Sequence, residues 1–476
     1  MSATTQLTVG GGFNGHTGLL TVPSSLLFGS ATDSTSFNGI LQTYLGTIYQ
    51  GLVSGANDFQ NNDLASPAGG IVVAGTPGGG AKFEDFTNVS SGSISAAAGG
   101  TYNASVTSGT TDVLVQIPGD VTLTGVGTTT KAVFGLGSNV NYSVVNPGAG
   151  VIDLLGGADS ITLQSLLPTL NAETIYSAGT DSINMVGQGS DYVTVLGNGT
   201  LQDFGANANI VAEGSATTNF YWDSSNAGGT LHFTNNSSVA ATIHIGNFNG
   251  QTSSTKVTVS GGAGGGFFVG GASGSNSLVG GSGAVTLVGA GSGDFLEAQS
   301  SVANSLFQGS GNETLVATST TGANGFYAGL QYPGIAGNPA VSGVISTQGS
   351  GGQSFDIGNV PGGETIFGST NATVNNYFIN SGTVAGAPVG GGAISIYNFI
   401  DSRSTILLGN GLGGLGLATI TGFAADQFNT GTTNLQFDIK LSDNTTILLK
   451  GLTASELAGV HTVQLFAGAN GVGIVG

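Results

Sequence analysis

Carboxylates recur in this chain inside glycine turns, each two residues before an aliphatic side chain: Gly157-Ala-Asp159-Ser-Ile161, Gly179-Thr-Asp181-Ser-Ile183 and Gly189-Ser-Asp191-Tyr-Val193. Between Val269 and Leu315 the equivalent position holds Asn276, Val285, Asp294, Asn304 and Glu313. If alternate turns face opposite sides, Asn276, Asp294 and Glu313 stack on one flank, and Val285 and Asn304 on the other. The first flank keeps carboxylate and carbonyl oxygens, the ligands of a hard cation such as calcium. The second has lost its carboxylates. Asp159, Asp181, Asp191, Asp294 and Glu313 are therefore the candidate metal ligands, with calcium an optional cofactor. The alternative is that these acids serve the turns alone. Valine at a ligand position argues that strand pairing and apolar stacking hold the molecule together.

Catalytic chemistry finds less support. A glycosidase needs two carboxylates facing a cleft at a defined separation, and the acids here are scattered. A lyase needs a basic proton abstractor, yet the central region offers only Lys131 and Lys256, far apart and without acidic clusters. His16, His232, His244 and His461 show no metal-ligand spacing. His232 and His244 sit in the alternating segments Leu231-His-Phe233 and Ile243-His-Ile245, as solvent-facing strand residues would. Phe220-Tyr-Trp-Asp223, which holds the single tryptophan, reads as a local packing cluster, with stacking on sugar rings the sharper possibility. The chain is expected not to be an enzyme.

The balance of 25 acids against six bases, a net charge of −19, makes nucleic acid an improbable partner. No run of apolar residues approaches membrane-spanning length. With no cysteine, stability does not rest on disulfides. No Lys or Arg precedes Lys82, so the positive region of a secretory signal peptide is missing from the N-terminus. Eighty-seven glycines would suggest disorder, except that 39% of the chain is hydrophobic and spaced as short strands between Gly, Asn, Ser and Thr turns.

The elements that must position the acids follow from the period. An apolar residue returns every nine or ten positions at Val269, Leu278, Leu287, Leu296, Leu306 and Leu315. Such a beat marks a β-solenoid, in which each repeat lays down one strand and turns a corner. The segments Gly271-Ala-Ser-Gly-Ser-Asn-Ser-Leu-Val279, Gly280-Gly-Ser-Gly-Ala-Val-Thr-Leu-Val288 and Gly289-Ala-Gly-Ser-Gly-Asp-Phe-Leu-Glu297 resemble, in degenerate form, the RTX nonapeptide of secreted calcium-binding β-rolls. The expected fold class is all-β, a parallel β-solenoid. It spans about residues 96–385 in irregular coils of roughly 18 to 22 residues, about 15 coils or a rod on the order of 70 Å at about 4.8 Å per strand. Its exposed strand edges invite pairing with another chain.

Residues 1–95 read as a capping or assembly segment, with one amphipathic helix over about 36–54 carried by Phe37, Ile40, Leu41, Tyr44, Leu45, Ile48 and Leu52. Residues 386–476 read as a β-rich cap. There Ile394-Ser-Ile-Tyr-Asn-Phe399 precedes a hairpin from Leu435–Leu441 to Thr445–Lys450 about Ser442-Asp443-Asn444, then a capping box Thr453-Ala-Ser-Glu456 and a strand His461–Phe466. This region resembles the C-terminal part of type I secretion substrates. Together these readings imply a secreted structural protein of a Gram-negative bacterium that self-assembles head to tail into a filament, surface layer or biofilm matrix, with extracellular polysaccharide a possible contact. A calcium-dependent adhesin or carbohydrate-binding module is the alternative.

Overall fold

The structure, a computed structural model, describes the strands between residues 8 and 155, most of 158–409, and residues 420–426, 435–459, 461–464 and 472–475. The helix expected over 36–54 lies outside the described residues. The chain forms two compact units, Met1–Asp223 with Asn236–Val239, and Ser224–Asn235 with Ala240–Gly476.

Both units are parallel β-solenoids in which the chain alternates between two sheets, so a coil is two strands. In the N-terminal unit one sheet runs Gly100–Ser105, Gly119–Thr124, Asn139–Val145, Ser160–Ser165, Thr180–Gly187, Asn198–Asp203 and Thr217–Trp222. The other runs from Phe59–Asp63 through Phe83–Thr87, Asp112–Val115, Ala132–Leu136, Val151–Leu155, Thr174–Ser177 and Ser190–Val195 to Asn207–Ala212. In the C-terminal unit the first sheet runs from Ala241–Ile245 to Ser404–Gly409. The second runs from Thr230–Asn235 through Ala393–Tyr397 to Thr446–Leu452. Parallel pairing thus reaches beyond residues 96–385 in both directions.

The nine-residue beat is half a coil. Leu278, Leu296 and Leu315 are register partners in one sheet, and Leu287 and Leu306 in the other. All five are fully buried. The column continues through Ile345, Ile366 and Ile396 in one sheet and through Phe326, Phe355, Tyr377 and Ile406 in the other. The residue level with Leu287 in the preceding coil is Phe268; Val269, which the period suggested, is buried one step along and pairs with Val288. Each inward aliphatic or aromatic contributes about 1.5–3 kcal/mol by leaving water. Phe326, Phe355 and Tyr377 add face-to-face stacking at 5.1 and 4.8 Å between centroids.

The turns need glycine where coils touch. Gly274 has φ of 78°, and a Cβ there would lie 2.1 Å from the Ser292 carbonyl of the next coil. The parallel sheets end at the C-terminal side on antiparallel strands. Thr446–Leu452 pairs with Leu435–Leu441, which pairs with Ile420–Asp426. Ser404–Gly409 pairs with Val472–Val475, which pairs with His461–Gln464. The hairpin expected about Asp443 is present, and the capping box opens the helix Ala454–Gly459: Glu456 N–H donates to Thr453 Oγ1 at 3.2 Å, and Thr453 N–H to Glu456 Oε2 at 2.7 Å. At the other end Thr8–Phe13 and His16–Thr21 form a hairpin that, among the described residues, pairs with no other strand.

Candidate functional site

Side chains of a strand alternate between faces, so the residue two positions before each inward aliphatic also points into the coil. In the second sheet of the C-terminal unit this places Val257, Asn276, Asp294, Glu313, Gly343, Glu364 and Ile394 in one inward column. Asn276, Asp294, Glu313 and Glu364 are each at most 3% exposed. The stacking of Asn276, Asp294 and Glu313 on one flank, and of Val285 and Asn304 on the other, is as the turn positions implied.

Asn276 and Asp294 clamp each coil to the one before through one oxygen apiece. Asn276 Oδ1 accepts the Val257 N–H at 2.9 Å, and Asp294 Oδ1 accepts the Asn276 N–H at 2.9 Å and its side-chain amide at 2.8 Å. Asp294 Oδ2 accepts the N–H groups of its own turn, Ala290 at 3.0 Å and Gly291 at 3.1 Å. Glu313 Oε2 accepts the Gly309 N–H at 2.7 Å. Gly343 leaves a gap that Gln308 fills from the turn after the opposite strand: a Cβ at Gly343 would lie 2.1 Å from Gln308 Nε2. That amide donates to both oxygens of Glu364, at 3.0 and 3.2 Å. A cleft of about 490 Å³ opens over this gap, lined by Asn312, Glu313, Ser342, Gly343, Glu364 and Ser395 among others.

The other flank is an amide ladder. Asn304 Oδ1 accepts the Val285 N–H at 3.1 Å, Asn304 donates to Asn324 Oδ1 at 2.9 Å, and Asn324 donates to Gln353 Oε1 at 3.0 Å. Gln353 ends the chain on the carbonyls of Gly351 and Gly322. Sequence reading stopped at Asn304. The continuing signal was available as a polar residue two before an aromatic in Asn324-Gly-Phe326, Gln353-Ser-Phe355 and Asn375-Asn-Tyr377. A second unread signal is Ser-Ser-Val-Ala, at 237–240 and 300–303. Ser237 and Ser300 donate to carbonyls of the preceding coil and accept the N–H two residues on.

In the N-terminal unit Asp159 and Asp181 are neighbours in one inward column. Asp159 Oδ1 accepts the Val140 N–H, and Asp181 Oδ1 accepts the Asp159 N–H at 3.1 Å. Asp181 Oδ2 takes Ser177 Oγ–H and the Gly179 N–H. Asp191 is buried too, but on the opposite sheet, two before Val193. His232 is exposed, as expected of an outward strand residue, and so is Lys256; the side chains of Lys131, His244 and Trp222 lie outside the described set.

Burial sets the electrostatics. It pushes Glu313 up to about 9, helped by the charges of Asp294 and Glu364, against the opposing Gly309 hydrogen bond. It pushes Glu364 to about 8 and Asp159 to about 8, the latter with Asp181 adding to the effect. Asp181 and Asp294 are also raised by burial, while their several donors pull the other way. These acids are hydrogen-bond acceptors inside the coil, and burial favours their protonated forms.

Calcium fits these columns unevenly. Asp181 and Asp294 are ringed by N–H and O–H donors, whose dipoles point positive ends at the carboxylates and oppose a cation. Among the described residues, the buried oxygens without a hydrogen-bond partner include Glu313 Oε1, Gln308 Oε1 and Asp159 Oδ2. Glu313, Gln308 and Glu364 meet at the Gly343 gap and are the residues that would hold a cation. Among the described residues, no three of His, Cys, Asp and Glu gather closely enough to form a metal site by themselves. Compared with protein-family models, curated proteins and solved structures, the chain matches none.

Proposed function

We propose that this chain is a secreted extracellular structural protein that self-assembles through β-solenoid stacking or strand complementation, as a filament, surface layer or biofilm matrix of a Gram-negative bacterium. Export by a type I route rests on the resemblance of the C-terminal region. One observation carries the assembly reading: among the described residues, a sheet edge and a strand pair both stand without a partner strand. Among the described residues Gly100–Ser105 is paired on one side only and the hairpin Thr8–Thr21 pairs only within itself. An isolated two-stranded hairpin is marginal in water, whereas added to a sheet edge it gains a full row of backbone hydrogen bonds. Contacts of this head-to-tail kind need not close, and they propagate. Deleting residues 1–30 is expected to leave soluble monomers by sedimentation and electron microscopy; polymers that persist unchanged would refute the mechanism.

A calcium-dependent adhesin or carbohydrate-binding module is the second reading, favoured by the unpartnered Glu313 and Gln308 oxygens beside Glu364. Thermal unfolding with calcium and with chelator separates the two. The structural reading expects the same midpoint in both. A midpoint that drops on chelation in the native chain, and no longer responds in Glu313→Gln, assigns calcium to the Gly343 gap instead.

A further inference from the structure

Most outward positions of one sheet in the N-terminal unit carry small hydroxyl or amide side chains, and register sets them in rows. Register places Asn141, Ser160, Ser182, Thr200 and Asn219 in one row. A parallel row holds Ser143, Thr162, Asn184 and Gln202, and a third holds Thr180, Asn198 and Thr217. Ser143, Ser160, Thr180, Ser182, Asn198 and Thr200 are exposed, and the rest are half-buried. The first row continues in register to Thr122 and Asn103. Each of these residues is Ser, Thr, Asn or Gln; the second row then ends at Tyr221, and a fourth row along its edge holds Val145, Gln164 and Val186. The opposite sheet of the same unit mixes Tyr176, Tyr192 and Val211 with Thr174, Thr194 and Asn209 in its outward rows.

We propose that this hydroxyl and amide face is a lateral contact between two copies of the chain. Three properties favour that occupant. The face is uncharged in a chain of net charge −19, so two such faces approach without the repulsion that other surfaces impose. Every hydroxyl and amide on it both donates and accepts, which makes the face complementary to itself. Its rows repeat at the strand spacing of about 4.8 Å, and only a partner with the same repeat matches them row on row, as Asn and Gln ladders match across paired sheets. Five strands of six residues cover about 24 by 20 Å, roughly 480 Å² per copy, below the ~800 Å² per partner of a standard stable complex. The contact is therefore weak between free chains and effective between chains already aligned in rows. It does not depend on the end-to-end mechanism above.

The test compares the full chain with two triple variants at the exposed row, Ser160→Lys/Ser182→Lys/Thr200→Lys and the same positions changed to Asp. Far-UV circular dichroism and thermal melting verify that both fold. Where the protein forms filaments, lateral contact is read as side-by-side pairing in electron micrographs; where it does not, as dimerisation in sedimentation equilibrium. Both triples are expected to weaken lateral association at least about tenfold while leaving filament length unchanged. The Lys set lowers the net negative charge, so loss in both sets cannot come from general repulsion. Lateral association that persists in both sets, or a wild-type chain that never associates laterally, overturns the proposal. Retention on insoluble neutral polysaccharide, lost in the triples with lateral association intact, would also overturn it and reassign the face to glycan.

Discussion

Raising the pH from about 4 to about 9 is expected to destabilise this protein continuously, the reverse of the usual acid denaturation. Glu313 is held near 9, and Glu364 and Asp159 near 8, by burial. In an unfolded chain these acids lose their protons near 4. Between those limits the folded state binds more protons than the unfolded one, so stability falls as pH rises. The contribution is complete below the unfolded values and gone above the folded ones. Relaxation and water entry reduce the ideal linkage value, and the three groups together are expected to contribute on the order of several kcal/mol. Urea midpoints measured from pH 4 to 9 check it. Glu313→Gln, which keeps the shape and removes the proton, is expected to flatten the upper part of the profile; a stability that rises with pH would show these acids to be ionised in the fold.

The second large effect is expected from Asp294→Ala. That carboxylate takes the Asn276 N–H and side-chain amide from the coil before, and the Ala290 and Gly291 N–H groups from its own turn. Removing it strands several buried donors at once, each costing about 1–3 kcal/mol. Allowing for a water that enters the space, the loss is expected at about 3–5 kcal/mol, comparable to truncating the neighbouring buried Leu296. Hydrogen exchange of the 270–295 segment is expected to rise locally before global unfolding. Asp294→Asn, which retains one acceptor, is expected to lose about half as much; an Ala variant as stable as the native chain would show the clamp to contribute nothing.

The sequence was legible wherever local spacing sets the outcome. The beat from Leu278 to Leu315 reports strand after strand because an inward residue must recur once per strand, and that requirement is local. The turn positions followed from the same count, so the division of Asn276, Asp294 and Glu313 from Val285 and Asn304 could be read off directly. The hairpin about Asp443 and the capping box at Thr453 and Glu456 were equally legible, since their partners lie within a few residues.

What the turn acids bond to was not legible. A carboxylate in a glycine turn looks the same in sequence whether a cation or a peptide N–H faces it. Each of Asp159, Asp181 and Asp294 has, beyond any partner in its own turn, a partner 18 to 22 residues away in the preceding coil. Gln308 reaches Glu364 across 56 residues, into a gap that exists because Gly343 lacks a side chain. The outward rows from Asn141 to Asn219 are likewise invisible until coils of unequal length are aligned, because Ser, Thr and Asn also fill every turn. The sequence determined by itself that the chain coils, with an inward apolar column and polar turns, because both follow from strand periodicity. The tertiary structure alone decided that the acids are buried acceptors inside the coil, because register between coils depends on loop lengths that no local period encodes.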